Sequence, residues 1–103
     1  MDRETTPRRA QRYDVSWPVR VRRLDADEWY ACRTVNLSVS GVLLRTYRQF
    51  QVGERVEVEI EFLTSTPSTS IISGVGQVVR QEPTVPGGAA IHFLNTGADN
   101  SQA

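Results

Sequence analysis

Residues 55 to 62 read Arg-Val-Glu-Val-Glu-Ile-Glu-Phe, and this strict alternation constrains the fold more than any other stretch of the chain. Val56, Val58, Ile60 and Phe62 fall on one side of an extended strand, and Glu57, Glu59 and Glu61 fall on the other. A helix would spread the same apolar residues around its axis. A strand with one apolar and one charged face belongs to a sheet that covers a core on one side and meets water on the other.

The rest of the chain reads the same way. Val15, Trp17, Val19 and Val21 alternate with Ser16, Pro18, Arg20 and Arg22, a half-buried strand in which Pro18 marks an edge or a bulge. An Asp-rich turn at 24–28 leads into a returning strand at 29–35. Turn chemistry at 36–41 precedes a short strand at 42–46, and Gly53 marks the next turn. A polar loop spans 64–70. The strand at 71–81 carries Gly74 and Gly76, which predict a sharp bend or bulge. A Pro/Gly turn at 83–88 leads to a last strand at 89–94, and residues 95–103 read as a frayed polar tail. Six short strands without helical periodicity predict an all-β fold, a small antiparallel barrel or sandwich, and closing the sheet would remove its exposed edges.

The length of 103 residues suits one domain with a modest core. Hydrophobic residues make up 39% and charged residues 23%, which places the chain among folded rather than disordered sequences. No apolar run approaches the roughly 20 residues of a membrane helix, so no membrane insertion is expected. The polar N-terminus lacks the apolar stretch of a secretory signal, and a cytoplasmic location is expected. Cys32 is the only cysteine. With a single histidine it makes neither a disulfide nor a zinc site, and it reads as a small core residue.

The formal charge of zero hides an asymmetry. Residues 1–23 carry seven arginines against three acids, and residues 24–103 carry five against nine. All twelve cations are arginine, the side chain suited to bidentate recognition of phosphate and guanine edges, although base composition of the genome also favours it. Catalytic chemistry has little to stand on. His92 lies on the opposite phase from Ile91 and Phe93 and reads as a surface residue. The Glu57, Glu59, Glu61 row is spaced like a solvated strand face rather than a converging acid/base pair. No phosphate-cradling glycine loop or metal-ligand spacing occurs, so no enzyme and no cofactor are expected.

Two stretches remain. Arg8-Arg9-Ala10-Gln11-Arg12 contains Arg-x-x-x-Arg just before the first strand, and Asn36-Leu37-Ser38-Val39-Ser40-Gly41 contains Asn-x-Ser-x-x-Gly leading into a later one. Taken singly, the first is a basic arm and the second a loop. In this order, before an all-β body, they resemble the PilZ domain, the bacterial receptor module for the second messenger cyclic di-GMP. The Gly53 turn with the strand after it, "GVGQVVR" and "AAIHFLN" are similar to the family too, so that the resemblance covers residues 7 to 95.

The resemblance implies a six-stranded antiparallel β-barrel at 13–95. A flexible N-terminal arm at 1–12 precedes it, and a disordered tail at 96–103 stands where many members carry a helix. It also implies cyclic di-GMP as ligand, with Arg8 and Arg12 on its phosphates and guanines and Arg9 between them as an auxiliary contact. Asn36, Ser38 and Gly41 form the second half of the site. On this reading the ligand bridges the two halves, orders the arm over the barrel and signals to a protein partner in motility, biofilm or related output. Two alternatives stand beside it. One is a PilZ-like adaptor that acts through protein contacts without nucleotide. The other is a small barrel binding single-stranded nucleic acid, which would need aromatics interleaved with a basic groove. Trp17 shares the apolar phase of Val15 and Val19, which argues against nucleic acid.

Overall fold

A computed structural model describes residues 11–63 and 69–98. Six strands follow one another: β1 (Pro18–Arg23), β2 (Tyr30–Leu37), β3 (Gly41–Arg45), β4 (Arg55–Leu63), β5 (Thr69–Glu82) and β6 (Gly88–Ala98). They pair antiparallel throughout and close into a barrel of order β1-β2-β3-β6-β5-β4, with β4 returning to β1. The expected all-β six-stranded barrel is the observed fold. No helix occurs among the described residues.

The alternation that predicted the strands also builds the core. Val19 and Val21 face Ile60 and Val58 across the β1–β4 ladder, and Val56, Val42, Leu44, Val78, Ala89 and Ile91 complete the barrel interior. Trp17 packs against this cluster from one end, its ring centroid 5.6 Å from that of Phe62. Cys32 is buried there, and burial pushes its thiol up to about 12, well above the usual range, as expected of a core thiol in apolar surroundings.

Several local expectations are sharpened. Pro18 occupies the first position of β1, where its missing N–H interrupts no ladder; in a closed barrel it marks neither a free edge nor a bulge. The β5–β6 ladder slips between Val75 and Gly76 and again between Val78 and Arg80. Gly76 thus sits at one of two bulges, and the extra residues, Val79 and Leu94, are exposed. The polypeptide turns at Gly53 with φ 99°, a left-handed value that favours glycine. Strand β6 runs to Ala98, so Thr96, Gly97 and Ala98 belong to the barrel rather than to the tail expected from residue 96. Their partners are Gly74, Ser73 and Ile72 on the long strand β5, which supplies ladder positions to a turn-like sequence. Residues 99–103 and residues 1–10 of the expected arm at 1–12 lie outside the described residues.

The segment before β1 is not part of the ladder but is strapped to β2. Tyr13 and Leu37 exchange both backbone hydrogen bonds, at 2.8 and 2.9 Å. Thr34 is buried, and its hydroxyl accepts from the Trp17 N–H at 2.8 Å and donates to the Val15 carbonyl. Arg33 adds bonds to the Ser16 hydroxyl and carbonyl. Residues 13 to 17 are therefore fixed along β2, and Arg12 is the residue immediately before this strap.

Candidate functional site

The register of four strands lays out the outer surface that holds the site. Thr34 faces the core, and simple alternation would turn Asn36 inward as well. A bulge between Thr34 and Asn36 reverses the phase, so that Asn36 pairs with Leu43 on the outer face. Leu43 pairs with Ala90, and Ala90 pairs with Arg80. Asn36, Leu43, Ala90 and Arg80 thus form one row across β2, β3, β6 and β5. Gly41, His92 and Gln77 form the adjacent row.

Leu43 and Ala90 are buried, yet they lie outside the central core cluster and on the opposite phase from Val42, Leu44, Ala89 and Ile91. They make the apolar floor of a cavity of about 130 Å³ on the outside of the barrel. Its rim includes Arg12, Asn36, Ser38, Ser40, Arg80 and His92. No carboxylate contributes to this lining, whereas each of the other described cavities has at least one, from Glu82, from Glu59 and Glu61, or from Asp25 and Glu54. Among the described residues, the side chains of Arg12 and His92 make no hydrogen bond or ion pair. An unneutralised guanidinium at the mouth of an acid-free cavity is a site of positive potential.

The turn from β2 to β3 is built by its own serines. The Ser38 N–H donates to the Gly41 carbonyl at 2.9 Å, and the Ser38 hydroxyl accepts from the Ser40 N–H at 3.2 Å. This local bonding is the reason a serine suits the position, and it fixes the hydroxyl at the cavity rim. Gly41 has a different role from the one its turn setting suggests. Its φ is not left-handed, but an added Cβ would run into the Ile91 carbonyl on β6, far inside van der Waals contact. Glycine is required for the close approach of β3 to β6 beneath the cavity.

The expected positions Arg12, Asn36, Ser38 and Gly41 therefore all line one cavity. Arg8 and Arg9 lie outside the described residues. Sequence reasoning missed Arg80, Ser40 and the Leu43–Ala90 floor, and it placed His92 on the surface without linking it to the site. The pairing of Gly41 with His92 makes that link, and no local sequence pattern encodes it. Runs such as "VLLR" and "AAI", apolar on both phases, are the signal that both faces of β3 and β6 are covered at this point.

A six-stranded closed barrel with an arginine and an Asn-x-Ser-x-x-Gly turn converging on its outer face is the arrangement that the resemblance to PilZ domains implies. The chain belongs to the PilZ domain family: the family model matches residues 6–103. PilZ domains are binding and adaptor modules, and the family is known for cyclic di-GMP receptors. Comparison with the curated proteins and with the solved structures brings no match. Among the described residues no helix is long and apolar enough to cross a membrane, and no group of His, Cys, Asp and Glu is placed to hold a metal ion.

Proposed function

We propose that this chain is a receptor for cyclic di-GMP that binds the nucleotide on the outer face of β2, β3 and β6. The observation that carries the reading is the convergence of Arg12, Asn36, Ser38 and Gly41 on one acid-free cavity. The ligand has two phosphates and two guanines, and each finds a chemical match. Arg12, with Arg8 and Arg9 from the arm, supplies guanidinium forks for phosphate oxygens and for the O6/N7 edge of guanine. Asn36 and Ser38 offer an amide and a hydroxyl to the same ligand. The floor of Leu43 and Ala90 gives a purine face an apolar surface to lie against.

Binding then orders residues 1 to 12 over the barrel, because the ligand joins the arm's arginines to the β2–β3 turn. The closed arm and the bound nucleotide form the surface read by a protein partner. The strap of residues 13–17 supports this sequence of events, since it fixes the hinge end of the arm beside Asn36. Calorimetric titration with cyclic di-GMP tests the reading, with GTP and a short single-stranded oligonucleotide as controls. Saturable binding of cyclic di-GMP alone is the expected result. Absence of binding removes the receptor reading and leaves the nucleotide-independent adaptor. Oligonucleotide binding that falls steeply with salt would point to nucleic acid instead.

A further inference from the structure

The cavity rim contains a second arginine that neither sequence motif includes. Arg80 projects from β5 at the far end of the row that starts with Asn36, three strands away across the Leu43–Ala90 floor. Neighbouring strands stand about 4.8 Å apart, so Asn36 and Arg80 bracket a span of roughly 14 Å. Arg12 and Arg80 are the two guanidinium groups of this rim, and they differ in one respect. Arg12 has no carboxylate partner among the described residues, whereas Arg80 is held by Glu82, two residues along the same strand. Its Nη2 and Nε donate to one carboxylate oxygen at 3.0 and 3.3 Å. The Thr84 hydroxyl donates to the other oxygen at 2.8 Å, which anchors the carboxylate at the β5–β6 turn.

We propose that Arg80 is a third ligand-binding arginine and that Glu82 is its built-in competitor, occupying the guanidinium until an anionic nucleotide displaces it. The proposal rests on the receptor reading above. A dinucleotide with two phosphates lying across the floor meets Arg12 at one side and Arg80 at the other. To engage Arg80 it takes over the fork that Glu82 uses. The exposed ion pair is weak enough to exchange, with the Arg80 side chain 49% exposed.

The test is calorimetry with cyclic di-GMP on four proteins: wild type, Arg80→Ala, Glu82→Gln and the double variant. Arg80→Ala is expected to weaken binding about fivefold or more. Glu82→Gln is expected to tighten it about threefold, the scale of an exposed ion pair. In the Arg80→Ala background, Glu82→Gln is expected to have no effect. Thr84→Val, which loosens the carboxylate without touching a charge, should shift affinity in the same direction as Glu82→Gln but less. Unchanged affinity in Arg80→Ala or in Glu82→Gln overturns the proposal. So does a Glu82→Gln effect that persists without Arg80, because Glu82 would then act on the ligand merely as a distant charge. If wild type does not bind, the receptor reading falls and this one with it; if wild type binds and Arg80→Ala matches it, this one alone falls.

Discussion

Arg12 and Arg22 lie ten positions apart in the basic front of the chain but on opposite sides of the barrel, and their surroundings separate their roles. On the outer face of β1 and β4, Arg20 and Arg22 meet the glutamate row directly, and Arg23 at the end of β1 reaches Glu54 in the turn before β4. Arg20 pairs with Glu59 at 2.6 Å, Arg22 with Glu57, and Arg23 with Glu54 at 2.7 Å. Trp29 lies under Arg20 and Arg22, with guanidinium carbons 4.5 and 5.3 Å from its ring centroid. On the outer face of β3 and β6, Arg12 faces an apolar floor and no acid. The same residue type is a structural stitch in one place and, in the other, a group at the proposed site that is unpaired among the described residues. The difference is whether the strand across the ladder supplies a carboxylate. Local charge density alone therefore overstates the basic patch, since three of its seven arginines are already neutralised.

The sharpest way to break this comparison is to truncate one arginine from each side. Arg12→Ala is expected to weaken cyclic di-GMP binding tenfold or more, a charge-assisted contact being worth about 1.5–3 kcal/mol, while the melting temperature stays unchanged. Binding as tight as wild type in this variant would show that the open arginine does not serve the ligand. A second variant targets the strap that places Arg12. Thr34→Val leaves the Trp17 N–H and the Val15 carbonyl without their side-chain partner, and chemical denaturation should show a loss of about 1–3 kcal/mol. The same variant should weaken ligand binding although Thr34 lies on the core side. Unchanged affinity would mean that Arg12 finds its place without the strap.

The smallest effect belongs to the stitched side. A double-mutant cycle on Arg22 and Glu57 should give a coupling of about 0.2–1 kcal/mol in stability, because both side chains are partly exposed. Ligand affinity should not move in any member of the cycle. A drop in affinity there would erase the division between the two faces.

Much of the fold was legible because each strand carries its own evidence. The Val56–Phe62 alternation needs no partner to be read, and the turns at Gly53 and 83–88 have residue types that name them. The end of β6 was not legible: Asn95, Thr96 and Gly97 read as tail, and only the unusual length of β5 gives them a ladder to join. Half of the site was legible as two motifs, but the other half depends on register. Nothing near His92 or Arg80 in the sequence says that one lies across from Gly41 and the other in line with Asn36. The arginine–glutamate stitches were hidden for the same reason. Both charge rows are visible in the sequence, but their meeting is a property of β1 pairing with β4 across more than thirty residues.

The strap between residues 13–17 and β2 acts as a ruler. Tyr13 is bonded to Leu37, and Trp17 to Thr34. Inserting one residue between Arg12 and Tyr13 would move the guanidinium about 3.3 Å and turn it to the other face. The connection from Leu24 to Trp29, by contrast, lies between strands whose own pairing is already fixed. The two halves of the proposed site can therefore drift apart in the gene by lengthening that connection, with no change in the space between them. For engineering, this makes the β1–β2 connection the natural place to insert a reporter, and the five residues before β1 the place to leave alone.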